Sequence, residues 1–308
     1  MKYANMFPST HIQSKLAESW GKAVEEVTQG RVKIEYYPGG SLLKGKQIFD
    51  GVVDGIADVG FAAAAYTAGR FPLVSVFDLP LGYPSGAAAT KAVNDVYAAM
   101  GGNDFRDAEL MYLHAHGPGF ITTNGREVRT LADMRGLRIR STGVSAEMVK
   151  ALGGTPVAME MGDTYESLQK GVVDGSAHPV ESNVGWKLGE VITTMTRCYP
   201  VAYTTTFFVV MNKDKWAEIS TADQRAIRRV NDEWLVKHGA AWDESDAAGL
   251  QELQARNVTI IDLDPAESAA WAVAVAPVID SYAEHIKAKG VDGLAVVAAA
   301  RQSLGGQK

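Results

Sequence analysis

The sequence has one cysteine, no long apolar run and no excess of positive charge, and each absence excludes a class of protein. Cys198 is the single cysteine, so an internal disulfide cannot form. No run of 18 or more apolar residues occurs, so a membrane-spanning helix is not expected. The net charge of −6 argues against a protein that binds nucleic acid through a basic face.

Motifs of catalysis are also lacking. There is no G-x-S-x-G elbow, no complete dinucleotide fingerprint and no Cys–His pair of obvious spacing. Residues 40–46 (GSLLKGK) match the spacing of a phosphate loop, but Gln47 stands where Mg²⁺ binding needs a hydroxyl. His114 and His116 would share one face of a strand, yet no third metal ligand of matching character lies nearby. We predict hydrogen-bonded histidines at a strand end, with no catalytic residue, metal or cofactor.

The first residues lack the charged and apolar regions of a signal peptide. Either the protein is cytoplasmic or a leader has been removed. The sequence alone leaves both interpretations open.

A length of 308 residues exceeds what one core usually organises, so two domains are expected. Apolar runs rich in β-branched and aromatic residues alternate with segments of helical period. The pattern predicts strands over 32–37, 57–62, 110–114, 137–140 and 156–159. It predicts helices over 46–53, 87–100, 145–152 and 164–170. Such alternation indicates βαβ units and an α/β fold with largely parallel sheets.

The pentapeptide GVVDG occurs twice, at 51–55 and at 171–175. In each copy the first glycine is predicted to close a helix in a left-handed conformation, and the second lets the chain turn into a strand. The repetition is either a coincidence in a glycine-rich protein or the sign of two lobes of similar build. The expected number of domains favours two lobes.

The pattern changes after residue 212. Residues 221–224 (TADQ) form a capping-box pattern, and helical spacing continues to about residue 256. A helix of that length measures roughly 54 Å, enough to run along both lobes, although Gly239 and Gly249 could break or bend it. Asp264, Pro265 and Glu267 then predict the start of a last helix.

Residues 131–141 (LADMRGLRIRS) predict a short helical turn that ends at Gly136 and leads into a strand. Arg138 and Arg140 point to one face of this strand. Both could lie on a solvated face. A strand of a parallel sheet is usually covered on both faces, however, so an arginine there should lie near the strand end and bind an anion.

The sequence resembles the DctP-type extracytoplasmic solute receptors of tripartite ATP-independent periplasmic (TRAP) transporters over essentially the whole chain. The segments that carry the resemblance are 25–34 (EEVTQGRVKI), 77–80 (FDLP), 133–140 (DMRGLRIR), 151–157 (ALGGTPV) and 165–175 (YESLQKGVVDG). Each is weak alone, but their order and spacing are specific.

The resemblance implies a two-lobed, periplasmic-binding-protein-like α/β fold with a ligand cleft between the lobes and a long helix spanning both. Lobe I is predicted to comprise residues 1–118 with 206–245, and lobe II residues 119–205 with 246–308. The resemblance also implies periplasmic export and delivery of a small organic carboxylate to the TRAP membrane permease subunits. We expect a monomer that binds no nucleic acid and is not an enzyme.

In this family the arginine that ends the Gly-Leu-Arg-Ile-Arg strand clamps the carboxylate of the ligand, and here it is Arg140. Its guanidinium suits a carboxylate because two parallel, charge-assisted hydrogen bonds can form. Sialic-acid-type members carry a second arginine twenty residues earlier, where this sequence has Phe120. The other residues predicted to line the ligand pocket are Phe7, Met161, His178, Asn183, Trp186 and Phe207.

Phe120, Met161 and Trp186 in place of polar groups predict a ligand with one carboxylate and an apolar body, such as an aryl or indole acid. A short hydroxy- or dicarboxylate is the second choice, because His178 and Asn183 could bind its polar end. A cytoplasmic α/β enzyme that uses the cleft, and a ligand-sensing domain of a membrane receptor, are the competing functions.

Overall fold

The computed structural model describes residues 1–305, which form eleven strands and ten α-helices. The strands are β1 (Lys2–Asn5), β2 (Glu35–Tyr37), β3 (Val59–Ala63), β4 (Glu109–Ala115), β5 (Gly119–Thr123), β6 (Arg138–Ser141), β7 (Thr155–Ala158), β8 (Gly175–Pro179), β9 (Thr194–Arg197), β10 (Thr206–Met211) and β11 (Thr259–Asp262). The helices are α1 (Ile12–Val27), α2 (Ile48–Val53), α3 (Gly86–Ala99), α4 (Ser145–Ala151), α5 (Thr164–Gln169), α6 (Ser182–Gly185), α7 (Lys213–Ala217), α8 (Thr221–Ala255), α9 (Pro265–Lys287) and α10 (Gly293–Ser303).

The strands form two separate sheets, one in each lobe. The first sheet has the order β2-β1-β3-β10-β4, and the second has the order β11-β9-β5-β8-β6-β7. Both sheets are mixed, because β10 runs antiparallel to β3 and β4, and β5 runs antiparallel to β8 and β9. The prediction of largely parallel sheets is therefore wrong at these two strands. Both adjoin segments that carry the chain from one sheet to the other, 116–118 and 198–205.

The long helix α8 joins the two lobes. It packs against α1 and α3 beside the first sheet and against α6 beside the second. Its 35 residues span about 52 Å at 1.5 Å per residue. The predicted helix is confirmed, but its N-cap is Ser220, whose hydroxyl accepts a hydrogen bond from Asp223 N, and not Thr221.

The two glycines of α8 neither break nor end it. A Cβ atom at Gly249 would lie 2.3 Å from the backbone oxygen of Val180, and one at Gly239 would lie 3.2 Å from Ala87 Cα. The glycines therefore let the helix approach the backbone of both lobes. The predicted start of α9 is confirmed, since Asp264 accepts hydrogen bonds from the first turn and Pro265 follows it.

The two GVVDG segments differ in conformation, so their predicted equivalence is wrong. In the second copy Gly171 adopts the left-handed conformation just after α5, and Gly175 begins β8, as predicted. In the first copy Gly51 lies inside α2, and Gly55 takes the left-handed conformation instead. The predicted strand over 32–37 is also shorter, since β2 begins at Glu35.

The largest apolar core surrounds the first sheet and includes residues of α10, such as Val296 and Ala300. Because α10 packs against α3, we propose that the last helix belongs to lobe I; the other lobe boundaries stay a prediction. Among residues 1–305 no helix is long and apolar enough to cross a membrane.

Candidate functional site

A narrow cleft with a cavity volume of about 30 Å³ lies between the two sheets, and both lobes line it. Strand ends and short loops supply its walls, since β1, β3, β4, β6 and β8 each end at a lining residue or directly before one. The residues that line it are Met6, Phe7, Ala63, Tyr66, His116, Arg140, Thr142, Met161, Pro179, Glu181, Ser182, Trp186, Tyr203, Thr205, Phe207 and Trp242.

Arg140 is the buried cation of the cleft. It lies in β6 and is 3% exposed. Its Nε donates to the Met159 carbonyl at 3.1 Å, and its Nη1 donates to the Ala177 carbonyl at 3.3 Å. Within residues 1–305 no carboxylate lies at ion-pair distance from Arg140, and Nη2 makes no hydrogen bond. A buried charge is costly unless it is paired, so this guanidinium is suited to receive an anion.

Arg138, two residues earlier in the same strand, has a different environment. Its side chain is 46% exposed and pairs with Asp174 at 2.8 Å. It also donates to the carbonyl of Gly171. The two arginines of the strand are therefore distinguished by their partners, because Arg138 already has its anion.

Aromatic rings form an apolar wall of the cleft. The ring centroid of Phe7 lies 5.6 Å from that of Trp186 and 5.4 Å from that of Phe207. Phe207 stacks on Trp242 at 5.3 Å. Phe7, Phe207 and Trp242 come from the side of the first sheet and Trp186 from the second, so the wall crosses the lobe boundary. Rings arranged in this way can enclose a planar apolar group.

Two tyrosines bring hydroxyl groups to the cleft near Arg140. The hydroxyl oxygen of Tyr66 accepts a hydrogen bond from Met161 N at 2.9 Å, which leaves its hydrogen available as a donor. Burial raises the pKa of Tyr66, although the charge of Arg140 opposes this effect. Burial likewise raises the pKa of Tyr203. Both groups therefore remain protonated hydroxyls at neutral pH.

Acidic and imidazole groups form a second polar part of the lining. Oε2 of Glu181 lies 2.9 Å from Nε2 of His11, a contact that joins the two lobes. Burial alone would raise the pKa of Glu181, but His11 and the hydroxyl of Ser182 outweigh this and lower it. Burial lowers the pKa of His116 to about 4, so its imidazole is neutral near pH 7.

Five of the eight predicted site residues line the cleft: Phe7, Met161, Trp186, Phe207 and Arg140. The structure does not bring the other three there. Phe120 packs on Tyr199 at 5.1 Å and lines a groove outside the cleft. His178 and Asn183 are buried behind the lining, where His178 lies 3.4 Å from both Asn183 Oδ1 and Thr122 Oγ1.

The motifs that resembled other sites have local structural roles. Nδ1 of His114 accepts a hydrogen bond from the indole N–H of Trp242 at 2.9 Å, as expected for a hydrogen-bonded histidine at a strand end. In the segment that resembles a phosphate loop, the N–H groups of Gly45 and Lys46 each donate to the carboxylate of Glu160 at 3.1 Å.

Sequence reasoning missed Tyr66, His116 as a lining residue, Glu181 and Trp242. Tyr66 follows the end of β3, the position where a strand delivers residues to a cleft, and that signal was available. Glu181 resembles an ordinary surface charge in sequence. Its contact with His11, 170 positions earlier, appears only in three dimensions.

Residues 3–285 match the family described as bacterial extracellular solute-binding protein, family 7, or DctP. The C4-dicarboxylate-binding periplasmic protein DctP of Rhodobacter capsulatus is 27% identical, over 97% of this chain and 90% of its own. A TRAP solute-binding protein of Bordetella bronchiseptica, solved with bound (R)- and (S)-mandelate, is 30% identical with a TM-score of 0.92, covering 100% of this chain and 99% of that one.

A marine metagenome TRAP solute-binding protein from an unidentified microbe, specific for aromatic acid ligands and solved with metahydroxyphenylacetate, is 28% identical with a TM-score of 0.93. The match covers 100% of this chain and 99% of that one. The family match confirms the resemblance seen in the sequence, and the similar solved structures confirm the two-lobed fold. The family consists of transport receptors and not of enzymes. The chain belongs to the DctP family of bacterial extracellular solute-binding proteins, the TRAP transporter receptors for small organic acids.

Proposed function

We propose that this receptor captures a monocarboxylate with an aromatic or indole body and that Arg140 clamps the carboxylate. The observation that carries the proposal is the buried guanidinium of Arg140, which has backbone carbonyl partners but no carboxylate partner within residues 1–305. A ligand carboxylate would supply the missing anion through two charge-assisted hydrogen bonds. The hydroxyl hydrogen of Tyr66 is a further donor toward the same group.

The apolar wall supports an aromatic body. Phe7, Trp186, Phe207 and Trp242 surround the cleft, and the flexible thioether of Met161 completes it. The mandelate-bound and metahydroxyphenylacetate-bound proteins are similar to this chain over its full length. The argument from Phe120 loses its force, because that residue lies outside the cleft lining.

A short dicarboxylate is the second candidate, and the Rhodobacter capsulatus protein favours it by its name. The lining argues against it. Within residues 1–305 Arg140 is the sole arginine or lysine that lines the cleft. A second ligand carboxylate would therefore lack a cationic partner.

We propose that delivery follows the family pattern. The receptor would work in the periplasm, as a monomer, and would hand its ligand to the TRAP membrane permease subunits. The family membership supports the periplasmic location and the delivery of a ligand.

Calorimetry with matched acids tests the ligand class. Phenylacetate, benzoate, mandelate and indole-3-acetate should include the tightest ligands, and succinate and malate should bind at least about 10-fold more weakly, since they would bury a second charge without a partner. If succinate or malate binds most tightly and every aryl and indole acid fails to bind, the proposed ligand class is wrong.

A further inference from the structure

We infer that the ligand carries a hydroxyl group in addition to its carboxylate, and that this hydroxyl donates its one hydrogen to Glu181, beside the neutral imidazole of His116, and is selected in this way. This inference rests on the proposed function, because Arg140 must first fix the carboxylate. The expected ligand is then a hydroxylated aryl monocarboxylate, and Glu181 and His116 are the residues that favour its hydroxyl group.

Glu181 lines the cleft and is 2% exposed. Ser182 Oγ donates to its Oε1 at 2.6 Å, and His11 Nε2 stands 2.9 Å from its Oε2. Despite these neighbours, Oε2 makes no well-directed hydrogen bond within residues 1–305. An ionised carboxylate only accepts hydrogen bonds, and its two oxygens offer about four acceptor positions. Acceptor capacity is therefore left over at a residue that lines the cleft, although Oε2 itself is sealed from solvent beside His11.

His116 supplies a second acceptor. Its Nδ1 lies 2.5 Å from the carbonyl oxygen of Gly117, and a carbonyl oxygen can only accept, so Nδ1 carries the hydrogen. In the neutral imidazole Nε2 then keeps its lone pair. Within residues 1–305 this Nε2 makes no hydrogen bond. The charges of Arg140 and Glu181 both act on this ring, so it is near both polar parts of the lining.

The two acceptors have opposite effects on two kinds of ligand group. A hydroxyl would donate its one hydrogen to the carboxylate of Glu181, and the neutral His116 near it offers no charge to attract a second anion. A second carboxylate would instead bring two like charges together in a buried site, an arrangement that strongly disfavours binding. Arg140 thus selects a ligand with one anionic group, and Glu181 selects a hydrogen-bond donor on the same ligand. Both residues act within a mainly aromatic lining.

Calorimetry with substituted phenylacetates tests the inference on the unmodified protein. The series compares phenylacetate with its 2-, 3- and 4-hydroxy, methyl and carboxy derivatives. At least one hydroxy isomer should bind about 10-fold more tightly than the methyl compound of the same pattern, as expected for a hydrogen bond to a charged acceptor. The carboxy isomer should bind at least about 100-fold more weakly than the hydroxy isomer.

Glu181→Gln then separates ligand recognition from a merely structural contact with His11. In this variant the ratio of the affinity for the hydroxy compound to that for the methyl compound should fall about 10-fold. The loss of affinity of the carboxy isomer relative to the hydroxy isomer should also become smaller. Glu160→Gln is the matched control, because Glu160 also joins the lobes but does not line the cleft. It should change all affinities by the same factor and leave both ratios as in the parent.

Ratios that are equal in the parent and in Glu181→Gln would overturn the inference. If that variant does not fold, the parent series still decides the question. The inference is also overturned if no hydroxy isomer binds the parent protein more tightly than its methyl counterpart. Aryl acids that bind irrespective of a hydroxyl would retain the proposed function and remove this inference alone. A complete lack of aryl acid binding would remove both.

Discussion

Glu160 and Gly45 meet across the opening of the cleft, where Gly45 N donates to Glu160 Oε2 at 3.1 Å. Lys46 N donates to the other carboxylate oxygen at the same distance. Glu160 follows β7 of the second sheet, and Gly45 precedes α2 beside the first. These hydrogen bonds can exist only when the lobes are together, so they favour the closed form.

Closure is the first prediction. Without ligand we expect hinge bending at 116–118 and 198–205 to open the lobes, and a binding acid should close them. Small-angle scattering should show a smaller radius of gyration with ligand. Equal radii with and without a bound acid would contradict this.

Glu160→Gln should weaken ligand binding about fivefold, equivalent to roughly 1 kcal/mol, because the closed form loses part of a charge-assisted contact. Calorimetry measures the change. Glu166→Gln is the control, since Glu166 pairs with Lys170 on its own helix. Equal affinities of Glu160→Gln and the parent would show that this contact does not stabilise closure.

The pH dependence of stability should depend on Asp246. Burial, together with nearby Glu181 and Asp243, raises its pKa to about 8, while Asp246 Oδ1 accepts a hydrogen bond from Glu181 N. The unfolded pKa is about 3.9. Between these values the folded state binds the extra proton, so the contribution is present at low pH and is lost as pH rises towards 8, by at most about 1.4 kcal/mol per pH unit.

Asp246→Asn cannot ionise, so its free energy of unfolding should fall less than that of the parent as pH rises from 5 to 8. The amide oxygen can keep the hydrogen bond from Glu181 N. Urea unfolding at each pH gives the difference between the two proteins. A difference that stays constant from pH 5 to 8 would show that Asp246 does not titrate in this range.

Gly249→Ala should destabilise the protein by about 1–3 kcal/mol, although alanine favours helices. The new Cβ would lie 2.3 Å from Val180 O, and backbone atoms cannot easily move aside. Gly162→Ala is the control, because nothing lies within 4 Å of its added Cβ. Denaturant unfolding compares the two. A neutral Gly249→Ala would mean that α8 and the second lobe are not tightly packed there.

The sequence predicted the features that depend on local patterns. Helical spacing and caps predicted α8 and α9, and the strand that ends near Arg140 follows from alternation. Strand direction depends instead on where the chain crosses between lobes, so the antiparallel β5 and β10 were not predicted. The different roles of Arg138 and Arg140 were also not evident from the sequence pattern. Tertiary structure buries Arg140 and gives Arg138 a carboxylate partner, Asp174.

The candidate site was predicted in part for the same reason. Phe7, Trp186, Phe207 and Arg140 were found because the resemblance gave their positions, whereas the aromatic residues Tyr66 and Trp242 were missed. Glu181 was missed because a charged residue beside a helix start has no local signal of burial. Phe120 was assigned to the pocket by counting along the chain, but its ring packs on Tyr199 outside the cleft.

The clamp at Arg140 is tested most directly by the ligand-dependent shift of the melting temperature, measured with the tightest aryl acid on Arg140→Ala, Arg140→Lys and Arg138→Ala. Removing one member of a buried charge pair costs about 2–5 kcal/mol, so Arg140→Ala should lose about 30- to 5,000-fold in affinity. Most of its ligand shift should therefore disappear. Arg140→Lys should also lose much of its shift, because an ammonium cannot form the two-pronged contact. Arg138→Ala should keep nearly the full shift, since Arg138 pairs with Asp174 at the surface. An Arg140→Ala protein that folds like the parent and keeps the full ligand shift would contradict the account.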